Sequence, residues 1–337
     1  MSSNNKVLRY WAVVAAGFEQ VALDEMADEL PGLRIDRLEK GRSQVKIFFT
    51  YERSPRRLLD LRSVQAVYAL IAEVKGITVG KPGLLHLVGQ ITKADFGAAQ
   101  RLATVLDPQR EVEVCHVNAT IKGHHRFGVS ELIFRVQEGL KVECGMTSGA
   151  PEGGLLLQLQ VRGRGAVVGM RLRTAQPSQH HAAAFCMGRI LGIEPGDRIL
   201  WLRNDRAEVS EFIQAFGVEV FAGIGDVRTR PSAKNGHWFL WDGERVPVLE
   251  EECSHFLAQC EAGKEFALVQ ELARILPIGC IGLIEAEQRE VIASLVGAHE
   301  ALEIAAVLPL GYRGRQHHLY AIERVFTGDL LQVQLSS

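Results

Sequence analysis

Apolar residues recur along this chain in short blocks whose period switches between that of a strand and that of a helix. The block "RYWAVVA", residues 9–15, is apolar and β-prone. In "GFEQVALDEMADEL" the residues Phe18, Val21, Ala22, Leu23, Met26 and Leu30 fall on one helical side, and Pro31-Gly32 stops the helix. "QVKIFFTY" reads as a strand. "SPRRLLDLRSVQAVYALIAEV" reads as a second helix, with Ser54 as N-cap and Pro55 at the first helical position. The first 75 residues therefore predict a β-α-β-α unit. Residues 95–175 repeat the rhythm: helix "FGAAQRLATVL", strand "EVEVCHVNAT", a basic turn "IKGHHRFG", helix "VSELIFRVQEGLKVECG", then two strands facing each other across Gly163-Arg164-Gly165, a hairpin signature.

"SQHHAAAFCMGRILG" predicts a connecting helix. After it the chain alternates "RILWL", a helix over 206–216, "VEVFAGI", "HWFLWDG", a helix over 250–276, "IGCIGLIEA" and a helix over 287–297. That alternation predicts a mainly parallel sheet with helices on both faces. The last segments, "EIAAVLPL" and "HHLYAIERV", flank a Gly-Tyr-Arg-Gly turn and predict a terminal antiparallel hairpin. The expected fold class is an α+β N-terminal half followed by an α/β domain. The boundaries fall at 1–78, 79–175, a connector over 176–195, and 196–337.

With 337 residues the chain is long enough for two or three domains. A hydrophobic fraction of 47% and a charged fraction of 23% are those of an ordinary globular protein. The net charge of -2 gives no global pull toward nucleic acid, so any polyanion site must be a local basic patch. Six cysteines include no Cys-x-x-Cys pair and mostly sit in apolar runs. They read as free core thiols, which implies a reducing, cytoplasmic compartment. "MSSNNKVLRYW" has no signal-peptide pattern, and no apolar run approaches the ~20 residues of a membrane span.

The histidines occur as adjacent pairs, His124-His125, His180-His181 and His317-His318, whose side chains diverge and make poor chelates. No zinc spacing, P-loop or nucleophile elbow is present, so no metal is expected. Basic residues are more informative. Lys122, His124, His125 and Arg126 cluster at a turn before a helix, whose N-terminus near Val129 offers amides to a phosphate. Arg162 and Arg164 flank the hairpin turn, and Arg171 and Arg173 share one face of the following strand. Arg313 and Arg315 in the last turn are a secondary set.

Four stretches, in order, resemble THUMP-domain RNA methyltransferases: "WAVVAAGFEQVALDEMADEL", "LLDLRSVQAVYALI", "NATIKGHHRFGVSELIFRVQEGL" and "GAVVGMRLRTAQPSQHHAAAFCMGRILGIEPGDRIL". The resemblance spans roughly the first 200 residues. It implies an N-terminal ferredoxin-like unit, a THUMP domain that holds structured RNA such as tRNA or rRNA, and a Rossmann-like domain that methylates it, mostly at guanine N2, with S-adenosylmethionine. It turns the eight residues Lys122, His124, His125, Arg126, Arg162, Arg164, Arg171 and Arg173 into an expected RNA contact set.

The departures lie in the half that would perform the chemistry. After the first strand the family carries Asp-Pro-x-Cys-Gly-x-Gly-Thr. Here "PGDRILWLRNDRAEVSEFIQAFG" reads Trp201-Leu202-Arg203-Asn204-Asp205-Arg206, and a Cβ at each position obstructs the tight turn that seats the cofactor. Asp205 reads as a helix cap. For the ribose-binding acid there is only Asp226, behind Gly223 and Gly225. The family's (Asn/Asp)-Pro-Pro-(Tyr/Phe) after the fourth strand would fall at "HWFLWDGERVPV", where Asp242 is followed by Gly243-Glu244. Trp238 and Trp241 are either base-stacking or core residues. The interval up to "HWFLWDG" also reads as short by one strand–helix unit.

Two readings follow. In one, the protein binds structured RNA while its methyltransferase-like domain has lost S-adenosylmethionine and serves as a packing or protein-binding platform. In the other it is an active guanine-N2 methyltransferase with a diverged pocket, using Gly223, Gly225 and Asp226 for cofactor and Asp242 near the target amine. A scaffold acting only through protein partners is a third option.

Overall fold

The structure is a computed structural model and describes residues 9–151, 153–173, 179–202, 212, 215–224, 236–241, 246–248, 252–260, 262–287, 289–312 and 315–325. Two compact units emerge: Met1–Val14, Asp24–Glu39 and Lys46–Pro177 form one, and Ala15–Leu23, Lys40–Val45 and Ser178–Ser337 the other.

The first sheet has eight strands: β1 (Arg9–Ala15), β2 (Arg34–Lys40), β3 (Gln44–Thr50), β4 (Ala66–Lys75), β5 (Glu111–Lys122), β6 (Thr147–Ser148), β7 (Gly154–Arg162) and β8 (Gly165–Arg171), in the order β2-β3-β1-β4-β8-β7-β5-β6. Because β4 pairs antiparallel with β8, segments 1–78 and 79–175 contribute to one continuous sheet. Helices α1 (Glu19–Glu29), α2 (Lys81–Thr92), α3 (Phe96–Leu106) and α4 (Val129–Cys144) complete this half of the chain. The opposite sheet face carries a small aromatic cluster of Trp11, Phe48 and Tyr68. Trp11 stacks on Tyr68 with centroids 4.8 Å apart. Gly169 of β8 lies beneath the Trp11 ring, where an added Cβ would come within 2.2 Å of it.

The helix expected over 54–74 is instead a short 3-10 turn (Pro55–Leu59) followed by β4. Ser54 makes no side-chain cap bond, although Pro55 does stand at the start of the turn. "AVYALIAEVK" is buried along most of its length, so its apolar run carries no period-2 signal, and its β-branched and aromatic residues prevail. The polar strand β2, largely exposed, and helix α2 were also missed by the apolar pattern.

A buried carboxylate fixes the turn into β4. Glu25, 5% exposed, accepts the backbone N–H groups of Arg62 (2.8 Å) and Ser63 (2.9 Å) and the Ser63 hydroxyl. Removing it strands buried donors.

The second sheet has seven strands, in the order β11-β10-β9-β12-β13-β15-β14: β9 (Arg198–Leu202), β10 (Glu219–Ile224), β11 (Gly236–Leu240), β12 (His255–Gln259), β13 (Ile281–Ala286), β14 (Leu302–Tyr312) and β15 (Arg315–Arg324). Strands β9 to β13 are parallel, and β15 is antiparallel to both β13 and β14. Helices α5 (Gln179–Leu191), α6 (Glu265–Ile275) and α7 (Arg289–Gly297) belong to this unit. The expected connecting helix and terminal hairpin are present. The helix expected over 250–276 holds a strand in its first half, because the core of "HFLAQ" is continuously buried and too short for periodicity to separate strand from helix. "HWFLW" is therefore the third strand, β12 is the fourth, and the interval before β11 needs no lost unit.

Replacing Glu25 with Ala is expected to lower stability by about 1–3 kcal/mol in urea unfolding, and Glu25→Gln by less. An unchanged midpoint for Glu25→Ala would contradict the account of this turn.

Candidate functional site

The register of the first sheet sorts the basic residues. Lys122 of β5 stands opposite Arg162 of β7, Arg162 opposite Gly165 of β8, and Gly165 opposite Lys75 of β4. One transverse row thus reads Lys122–Arg162–Gly165–Lys75. The Gly163 amide donates to the Lys122 carbonyl (2.9 Å), and the Ile77 amide to the Arg164 carbonyl (3.0 Å), tying the hairpin tip to its neighbours. Gly123, at φ +116°, turns the chain out of β5. His124 and Arg126 are exposed beyond it. The His125 ring packs on Phe127 with centroids 4.9 Å apart, so this histidine turns inward.

Arg171 and Arg173 do not join this group. Arg171 lies opposite Tyr68, six residues along β8 from Gly165 or about 20 Å away. Arg173 donates to the Leu61 carbonyl (3.5 Å). Burial pushes its guanidinium below the usual arginine range, against the pull of Asp60 and Glu25. The eight sequence candidates therefore divide into a group at the hairpin end of the sheet and a half-buried pair near its other end. Arg313 and the side chain of Arg315 lie outside the described residues.

Beside the basic row is a cavity of about 560 Å³, whose lining includes Arg37, Glu39, Lys46, Glu73, Gln160 and Arg162. Sequence reasoning missed Lys46, Lys75 and Gln160, because each is a lone polar residue in a strand far away in sequence. Only the alternation of the strands could have suggested their common face. Lys46 sits 3.9 Å from Glu39. Burial lowers its ammonium pKa, Glu39 opposes this, and Arg162, Lys122 and Arg37 lower it further.

In the second sheet, β9 is the switch point: β10 lies on one side and β12 on the other, and the carboxyl ends around it are where such sheets bind ligands. The end of β9 is apolar. Trp201 is fully buried, edge-on to Phe212 at 4.9 Å, and Leu202 belongs to the core. Gly223 is inside β10, where a Cβ would meet the Leu202 side chain at 2.7 Å, so close packing accounts for the missing side chain. Trp241 packs against the core with Lys264 Nζ 5.7 Å from its ring. Residues Arg203 to Arg206, Gly225, Asp226, Asp242 and the side chain of Trp238 lie outside the described residues. Among the described residues, none at the end of β9 offers a polar group suited to a cofactor.

Polar groups gather instead at β12 and β13. A cavity of about 290 Å³ is lined by Gln259, Cys260, Glu265, Glu287 and His317, among others. Buried Glu285 and His317 pair there, Oε1 to Nδ1, at 3.0 Å. Since β12 is the fourth strand, Asp242 follows the third strand and not the fourth as expected from the resemblance, and the residues after the fourth are Gln259-Cys260-Glu261-Ala262 in sequence. No group of three His, Cys, Asp or Glu residues among those described could hold a metal ion. No described helix is long and apolar enough to cross a membrane.

The seven-stranded, largely parallel sheet with its terminal antiparallel pair is a methyltransferase-type fold, here following a mixed α+β half. TrmN from Thermus thermophilus superposes with a TM-score of 0.69 and 17% identity, covering 94% of this chain and 100% of that one. A possible methylase from Clostridium difficile 630 does so with a TM-score of 0.65 and 9% identity, over 96% and 99%. The candidate methyltransferase SMU.472, complexed with SAH, gives 0.63 and 10%, also over 96% and 99%. The two-sheet fold is shared along nearly the whole chain. No family model and no curated protein matches it.

Two outcomes follow. Gly223→Ala is expected to cost about 1–3 kcal/mol by overpacking, read by thermal unfolding; an unchanged melting temperature would refute the packing account. Burial raises the Cys115 thiol to about 11, with Cys144 adding to it, and Cys253 to about 12, with Glu252 and Glu219 adding to it against Arg198. Both are then protonated at pH 8, and alkylation of the folded protein should spare them. Rapid labelling of either would contradict that burial.

Proposed function

We propose that the protein binds structured RNA, such as tRNA or rRNA, through the hairpin end of its N-terminal sheet, and that its methyltransferase-type domain works without S-adenosylmethionine. The RNA reading rests on the row Lys122–Arg162–Gly165–Lys75, three cations that meet no carboxylate within ion-pair distance among the described residues. Uncompensated positive charge on one open face favours a polyanion. The family's fold, shared over nearly the full chain, favours RNA among polyanions.

The cofactor-free reading is supported by the apolar end of β9. Trp201 and Leu202 stand where the resembling family carries Asp-Pro. A carboxylate there would be exchanged for a sealed indole, and Gln259-Cys260 replaces the motif that grips a target amine. No methyl-transfer step is assigned to this chain.

Calorimetric titration with S-adenosylmethionine is expected to give no heat of binding at micromolar concentrations. Micromolar affinity would overturn the cofactor-free reading in favour of an active methyltransferase. Reversing Lys122 and Arg162 together to Glu should weaken tRNA binding at least tenfold and make the salt dependence shallower by about 1.5 in log–log slope. Unchanged affinity and slope would remove the row from the interface.

A further inference from the structure

The cavity on the N-terminal sheet has the arrangement of a nucleotide site. Its outer row is Arg162–Gly165–Lys75, which Lys122 continues on β5 beyond the lining, and the next row inward on the same face is Gln160–Val167–Glu73, continued by Thr120. The two rows are about 7 Å apart along the strands. The outer row is cationic, with a gap at Gly165 where no side chain fills the surface. The inner row offers an amide, an apolar surface and a carboxylate, which suit the polar edge and flat face of a base.

The charges on the far wall are unequally satisfied. Arg37 is fully engaged: its guanidinium lies 3.7 Å from the Phe48 ring centre and donates to Glu73 (2.5 Å) and Glu39 (3.2 Å). Among the described residues Lys46 has only Glu39, at 3.9 Å, and shares it with Arg37. Lys46 is held at 21% side-chain exposure among like charges. Charged groups with a perturbed environment gathered in a cleft mark a candidate functional site, and an anion would complete the pairing that Glu39 and Glu73 leave partial. At about 560 Å³ the space suits a nucleotide and is too small for a duplex.

We propose that this cavity seats a nucleoside monophosphate unit, its phosphate on Lys46 and Arg162 and its base between Gln160 and Glu73 over Val167. This rests on the reading that the N-terminal unit binds RNA, and the unit is then one nucleotide of the RNA strand. A free mononucleotide has the same chemistry, so the test separates the two sources.

The variants are Lys46→Met, which keeps the aliphatic stem, and Gln160→Ala, each checked for native circular dichroism. Binding of tRNA is measured by fluorescence anisotropy over a range of salt, and of CMP by calorimetry. Both variants are expected to weaken tRNA at least fivefold. Lys46→Met should also reduce the salt slope by about 0.7–0.9, the loss of one phosphate contact. CMP should bind the wild type and compete with tRNA. If both variants keep wild-type tRNA affinity while the Lys122/Arg162 reversal weakens it, the cavity proposal fails and RNA binding stands. If CMP binds the wild type but tRNA does not, the cavity serves a free nucleotide and the RNA reading fails. If neither binds, both are overturned.

Discussion

The pairing of β4 with β8 is the constraint on which the N-terminal unit depends. It joins two sequence segments into one sheet, and its register decides which side chains share a face. Strand side chains alternate, so a one-residue slip would send Lys75 and Glu73 to the covered side. Two devices hold the register. Gly169 lets the Trp11 ring lie directly on the β8 backbone, where a Cβ would meet the ring at 2.2 Å. The irregularity between Leu70 and Ala72 absorbs the extra residue and re-aims the end of β4, so that Glu73 stands opposite Val167 and Lys75 opposite Gly165. The cationic row and its inner neighbour both follow from those two facts.

Elements whose apolar residues have a clear period were legible in the sequence. Helices α3 and α4 and the β7–β8 hairpin match their predicted spans closely. Two of the failures have a common cause. β4 is buried over its first four residues and β12 over its central three, so polar residues do not interrupt these stretches at every second position, and both were read as helix. The error at β12 then moved the expected target-binding motif from the fourth strand to the third. A missed five-residue strand was enough to change which residues were compared with the family.

The candidate site was legible in part for a different reason. Lys122, Arg162 and Arg164 were found because they cluster around turns that sequence can recognise. Lys46, Lys75 and Gln160 contribute one residue each from three strands, and only pairing brings them to the same face. Arg171 and Arg173 were read as sharing a face of one strand, but β8 ends at Arg171 and Arg173 reaches the Leu61 carbonyl. Alternation alone cannot say how far along a strand a residue stands from a neighbouring cluster, and the pair lies toward the far end of β8.

Electrostatics give the two units different characters that the net charge of -2 conceals. The N-terminal cavity gathers Lys46, Lys75 and Arg162 with few acids to neutralise them. The cavity at β12 and β13 has Glu265 and Glu287 on its wall and Glu285 behind His317, with no lysine or arginine among its described lining residues. A phosphate backbone is attracted by the first and repelled by the second.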